Sequence, residues 1–266
     1  MSDARNYGLK CASGKYVFFC DSDDMVIPSG LSEVIEKASK TNDDVILWDG
    51  ISIDEDDREI KSGKDIILIH SGLDKSGGII SGIEAMVDQI KDHKTYAMTA
   101  WLLACRRDFL LDNGLYFEKG LIHEDELWTP QVLICASKVL YVPEKVYCYR
   151  IRKNSIMDSL YKDQEQHSEA YIQIFNLLFD LYSSFVNDKH QRSVLLSYWA
   201  DTYMWDMAHF GFYKFECRKQ IPRRKIMSAA GSFKSKLKGI FLFVFGVRPF
   251  CRLMISISGK REKYDT

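Results

Sequence analysis

The chain has 266 residues, 46% hydrophobic and 27% charged, enough for one large domain or a domain with an appendage, and ordinary for a soluble globular protein. Seven cysteines, odd in number and without a C-x-x-C pair, exclude a disulfide framework and a zinc site and point to a reducing compartment. The net charge of −1 hides an asymmetry: from Lys214 onward 14 Lys or Arg face three acids, a local +11 that leaves −12 on the preceding residues.

The opening "MSDARNYG" lacks the apolar core of a secretory signal. "SDARNYGLKCASG" reads as a short helix, with Ser2 or Asp3 as cap and Gly14 as stop. "KYVFFC" reads as a strand, apolar enough to be central and covered on both faces. Pro28 and Ser29 open a helix whose Leu31, Val34, Ile35 and Ala38 recur at helical spacing. "DVILWDG" and "DIILIH" read as strands around the polar turn "DEDDRE". "SGIEAMVDQI" is a helix, "YAMTAWLLAC" a strand, and "RRDFLLDNG" a helix stopped at Gly114. "LIHEDELWTPQVLICAS" runs from loop into helix. "KVLYVPEKVYCYRI" is strand-like, with Pro143 marking an edge or a break. This alternation predicts an α/β layered domain. From about residue 163 long helical stretches take over, "EAYIQIFNLLFDLYSSFV" and "QRSVLLSYWADTYMWDMAHF".

The basic end contains "KLKGIFLFVFGVRPFCRLMISIS". Its longest uncharged piece, Gly239 to Val247, has nine residues, against the roughly 20 needed to cross a bilayer. Two readings remain: a segment lying at an anionic membrane surface, or a helix packed on the body. Nucleic acid is not expected, because the charges are mixed with a long aromatic apolar run.

The segment that carries chemistry is "CDSDD". Asp21, Asp23 and Asp24 crowd together after the apolar strand, and like charges so close repel unless a cation sits among them. Asp21 and Asp23 are two apart, so their side chains can face the same way. Two hard oxygen ligands suit Mg²⁺ or Mn²⁺, leaving positions for a diphosphate. A lone D-x-D also occurs in solvated turns. A haloacid-dehalogenase-type phosphatase opens similarly but continues with Thr, where Asp24 and Met25 stand here.

Three blocks in order, over residues 2 to 157, resemble the inverting family 2 glycosyltransferases of bacterial polysaccharide synthesis. "ARNYGLKCASGKYVFFCDSDD" is similar to that family's A-R-N-x-G helix, A-x-G-x-Y, apolar strand and D-x-D-D. "AWLLACRRDFLLDNGLYFEKGLIHEDELW" is similar to its Trp strand, basic helix start, glycine turn and E-D pair. "VYCYRIRKNSI" is similar to its Y-x-Y-R…N-S-I ending. The resemblance implies a glycosyltransferase A-type, Rossmann-like α/β domain over 1–157, followed by a helical region over 158–266.

It also implies roles. Asp21 and Asp23 border the metal and the diphosphate of a nucleotide-sugar donor, with Asp23 the direct ligand and Ser22 beside them. Asp24 caps the following turn. Arg5 and Asn6 lie near the donor nucleotide, or serve as helix-surface polarity or an internal salt bridge. Asp125 of the E-D pair takes the proton of the attacking acceptor hydroxyl, with Glu124 orienting it or the loop. All three acids of "EDE" also complement a helix N-terminus. Trp101 walls the acceptor sugar or belongs to the core. Arg150 approaches the diphosphate or pairs with the acidic surface, and His123 is loop surface before it is a metal ligand.

The resemblance departs at the front. Family members begin with an apolar strand, a "PVYN"-like turn, a helix and a strand ending in a D-D-G-S turn. This chain starts just before the A-R-N helix, without roughly 60 to 90 residues by unit size. The expectation is therefore a fragment that transfers sugar poorly alone, from a nucleotide-sugar donor to a glycan or lipid-linked acceptor in envelope polysaccharide synthesis. It would be cytoplasmic or peripheral at the inner face of the membrane. The alternative is a non-catalytic membrane-surface or glycan-binding module.

Overall fold

The run Val45-Ile46-Leu47-Trp48 is buried at every position, as a strand covered on both faces must be. The computed structural model describes residues 1–60, 69–70, 73, 78–93, 95–152 and 164–261. The chain divides into two compact units, Met1–Ser155 and Ile156–Thr266.

In the first unit the elements are α1 (Ser2–Cys11), β1 (Tyr16–Phe18), β2 (Met25–Val26), α2 (Pro28–Lys40), β3 (Val45–Ile53), β4 (Glu59–Ile60), α3 (Gly82–His93), β5 (Leu103–Arg106), α4 (Arg107–Asp112), α5 (Glu124–Cys135) and β6 (Val139–Arg150). The strands form one sheet in the order β1-β5-β3-β6-β2, with β4 added to β3. β3 and β6 pair in parallel and every other described pairing is antiparallel. β1, β3 and β6 therefore point the same way, and their carboxyl ends share one edge of the sheet.

The core packs Val34 and Ala38 of α2 against Ile46, Trp48, Val142, Val146 and Tyr147 of the sheet. Gly30 permits this approach, because a Cβ there would collide with the carbonyl oxygen of Lys145. Pro143 lies inside β6 rather than at an edge. Trp48 faces Val142 and Asp49 faces Lys145, so Pro143 and Glu144 fall out of register in a bulge, where the missing N–H costs no ladder bond.

Three expectations change. "KYVFFC" shortens to three partly buried residues that pair only with β5 among the described strands, so β1 is not central. "YAMTAWLLAC" is extended only from Leu103. Before that point its backbone is tied to side chains: the Trp101 carbonyl accepts from Trp48 Nε1 at 3.1 Å, and the Ala97 N–H donates to Gln89 Oε1 at 3.4 Å. α1 has no side-chain cap and ends at extended Ala12 rather than at Gly14. The expected strand "DIILIH" lies mainly outside the described residues.

The second unit is helical: α6 (Gln164–Phe185), α7 (Lys189–His209), 3-10 turns at Phe212–Lys214 and Glu216–Gln220, α8 (Arg223–Ala229), α9 (Phe233–Phe245) and α10 (Val247–Arg261). α6 buries Tyr171, Phe175, Leu178 and Tyr182, one stripe at helical spacing. Asp188 caps α7 by accepting from the Gln191 N–H. Trp199 of α7 donates to the Tyr182 hydroxyl of α6 at 3.0 Å.

Candidate functional site

Beyond β1 the chain turns at once. Phe19 is buried edge-on against Phe117 and Trp128, with centroids 5.1 and 5.5 Å away. Asp21 to Asp24 then form a tight turn closed by the Asp24 N–H on the Asp21 carbonyl at 3.2 Å. Three carboxylates in four residues hold together because each is given its own partner. Asp21 Oδ1 takes Arg5 Nη2 at 2.8 Å, and Asp23 Oδ2 takes Arg152 Nη2 at 2.6 Å. Asp24 accepts from the Tyr147 hydroxyl at 2.7 Å and from the Arg150 N–H at 2.8 Å.

Asp24 is thus no local turn cap. It fastens the turn to the end of β6, over a hundred residues downstream. Tyr147 does this twice, since its oxygen also accepts from the Asp21 N–H at 3.0 Å. Burial pushes the Asp24 carboxyl above its ordinary range, against these two bonds. Arg150 completes the clamp: Nε donates to the Asp23 carbonyl at 2.8 Å, Nη1 to the Asp54 carbonyl at 3.0 Å, and Nη2 pairs with Asp57 at 2.6 Å. Of its two expected roles, the guanidinium fills the second, pairing with acidic neighbours. The shared edge of β1, β3 and β6 makes this clamp possible.

Arg5 of α1 is the second organiser. Its Nη1 reaches Glu124 at 3.0 Å while Nη2 holds Asp21, and both Arg5 and Glu124 are under a tenth exposed. The guanidinium also sits over the Phe117 ring at 5.2 Å. Arg5 therefore fills the internal ion pair among its expected roles. Asn6 donates to the Phe117 carbonyl and accepts from the Phe117 N–H, both at 2.8 Å. It pins the loop that leads to α5, and neither side chain of the pair is surface polarity.

α5 begins at Glu124, after His123 in the left-handed conformation at φ 60°. Asp125 is in the first turn and only partly exposed. Desolvation first, and the neighbouring Glu124 charge second, push its carboxyl up to about 6, against the pull of Arg5. A carboxylate tuned near neutrality suits proton transfer better than an ordinary aspartate does.

Arg5 therefore joins the acidic turn to the start of α5 and its Asp125. Ser22 stands exposed at the tip of the turn. Trp101 is a core residue, stacked on Tyr147 at 4.5 Å and Tyr149 at 5.5 Å. Sequence reasoning missed the structural part of Tyr147, which holds Asp21 and Asp24, and of Phe117, which holds Asn6, contacts that span over a hundred residues. The only signal for Tyr147 was its place in the "YCYR" block.

Asp21 and Asp23 are both partly exposed, and the described residues bring no group of three His, Cys, Asp or Glu into metal-holding range. Asp24 is spent on β6. The donor set is thus two hard carboxylates, which fits a Mg²⁺ or Mn²⁺ that takes its remaining ligands from a diphosphate and water. Asp23 is the more available of the two, because its partner Arg152 is itself about half exposed.

Residues 1–110 match the model for glycosyl transferase family 2. The uncharacterized glycosyltransferase YibD of Escherichia coli is 28% identical over 180 residues, covering 66% of this chain and 50% of that protein. The glycosyltransferase GlyG of Streptococcus pneumoniae is 26% identical over 161 residues, 59% of this chain and 50% of its own length. The succinoglycan biosynthesis protein ExoO of Rhizobium meliloti is 28% identical over 172 residues, covering 64% and 46%. The chain spans about half the length of these curated relatives. Among solved structures, S. aureus TarS 1–349 in complex with UDP-GlcNAc superposes with a TM-score of 0.65 at 17% identity, over 98% of this chain and 72% of that one. That likeness is one of α/β fold. The match to glycosyl transferase family 2 thus lies on residues 1–110, and the relatives that this chain resembles are themselves named glycosyltransferases.

Proposed function

We propose that this protein transfers a sugar, with inversion, from a nucleotide-sugar donor to a hydroxyl of a glycan or lipid-linked acceptor in bacterial envelope polysaccharide synthesis. The acceptor oxygen bonds to the anomeric carbon as the bond from that carbon to the diphosphate breaks. The electron pair leaves with the nucleoside diphosphate, and Asp125 takes the hydroxyl proton. A Mg²⁺ or Mn²⁺ at Asp21 and Asp23 would neutralise charge on the departing diphosphate. Arg5, Tyr147 and Arg150 position the turn and do no chemistry.

The observation that carries this reading is the Arg5 bridge. One buried guanidinium ties the acidic turn to the helix start where Asp125 is pushed up to about 6. The UDP-GlcNAc complex of TarS makes a UDP-sugar the first donor to try, and the relative named for succinoglycan biosynthesis supports the polysaccharide role.

The test is sugar transfer from radiolabelled UDP-sugars with Mn²⁺, beside calorimetric UDP binding. Asp125→Asn should keep UDP binding and lose transfer by about a hundredfold or more, the usual contribution of a general base. Asp23→Ala should lose both metal-dependent binding and transfer. Transfer by Asp125→Asn within about tenfold of the parent would remove Asp125 as base. UDP binding without turnover at any pH would leave a binding module in its place.

A further inference from the structure

We propose that α9 and the start of α10 form a docking face for an anionic bilayer surface, with the helices lying along the interface. This goes beyond sugar transfer and does not depend on it.

The inference starts from which side of α9 is packed. Ser235, Gly239 and Leu242 are buried, and they share one face. Gly239 lies close against α8: a Cβ there would sit 3.0 Å from the Met227 Cα. The small face is thus the one that lets the two helices touch, and it fixes the rotation of α9. The opposite face carries Phe233, Leu237, Ile240 and Val244, at steps of four, three and four residues, and all four are exposed, Phe233 at 78%. A helix that turns its apolar stripe outward is inverted relative to an ordinary surface helix. Phe245 at its last position, and Leu253 and Ile257 on α10, add further exposed apolar surface.

Charge identifies the occupant. Lys234 and Lys236 flank the stripe on either side, and Arg248 and Arg252 are exposed on α10. Residues 217–261 contain twelve Lys or Arg and no Asp or Glu. An apolar stripe bordered by cations is the chemistry of a helix lying at anionic headgroups, with aromatics in the acyl boundary. Among the described residues no helix is long and apolar enough to cross a membrane, so the face lies on the bilayer without spanning it.

The experiment sediments the 266-residue chain with vesicles of mixed phosphatidylglycerol and phosphatidylcholine, and with phosphatidylcholine alone, at low and high salt. Binding is expected to the mixed vesicles and to fall with salt. Leu237→Ser with Ile240→Ser should weaken partitioning at least about tenfold. Lys234→Gln, Lys236→Gln and Lys238→Gln should weaken it about fivefold per charge. Circular dichroism and melting of each variant should match the parent, since Lys234, Lys236, Leu237 and Ile240 are exposed and Lys238 is half-buried. Failure to bind either vesicle overturns the proposal. So does binding that neither variant changes, or a salt-insensitive dimer that the apolar variant abolishes without any lipid binding.

Discussion

Replacing Arg5 with methionine should separate two parts of the site at once. Methionine keeps most of the volume, so the change removes charge and hydrogen bonds more than packing. It strands Glu124, whose side chain is 8% exposed, and releases Asp21, which is 28% exposed. A buried ion pair broken from one side costs about 3–5 kcal/mol, because the remaining charge has neither water nor partner. The Asp21 contact is nearer the surface and should add at most about 1 kcal/mol. Adding Glu124→Gln to Arg5→Met takes away the stranded charge and should recover at least about 2 kcal/mol. Two structural units make a single global midpoint ambiguous, so the assay is native-state hydrogen exchange of α1 and α5 peptides. The same variant has an electrostatic readout. Arg5 holds the Asp125 carboxyl down, so its loss should move the acid limb of kcat/KM upward from about pH 6. A single-variant cost below about 1 kcal/mol, or strict additivity with Glu124→Gln, would refute the bridge as the organiser of the site.

Asp125 gives a second test through stability. Its folded pKa of about 6 lies above the unfolded value. Its contribution is therefore full below about pH 4 and is lost as pH rises through about 6. Asp125→Asn should melt higher than the parent near pH 8 and no higher near pH 4, while losing transfer. Tyr147→Phe removes the hydroxyl that serves Asp24 and the Asp21 N–H; denaturation should show a loss of about 1–3 kcal/mol, and calorimetry a weaker Kd for UDP with Mn²⁺. Gly30→Ala drives a methyl into the Lys145 carbonyl and should cost about 1–3 kcal/mol in a urea titration. In the helical unit, burial pushes Asp206 up to about 8. The stability tied to that proton drains as pH rises through about 8, so Asp206→Asn should raise the melting temperature most in alkali.

What the sequence discloses follows the range of the interactions involved. Helices with their own apolar period, such as Pro28–Lys40 and Gln164–Phe185, read directly, because spacing and first-turn residues are local. The strands around Trp101 read too long, because backbone there is satisfied by Trp48 and Gln89 side chains that no window on 96–102 contains. The acidic turn shows the same division within one motif. Asp21 and Asp23 announce themselves by crowding. What lets them crowd does not: Arg5 and Arg152 supply the opposite charges, and Tyr147 and Arg150 take Asp24 out of the cluster from the far end of β6. On the proposed metal reading, a list of acidic residues would therefore overcount ligands by one. The correction comes from asking where each carboxylate finds its partner, a question only tertiary contacts answer. The same accounting gives Arg5 and Asn6 internal partners, as the frame of the proposed site. A buried guanidinium already shared between two carboxylates has little left to give a third anion without unpairing the first two. Donor affinity in this fold should then track the exposed side of the turn, at Ser22 and Asp23, more closely than the helix that holds it up.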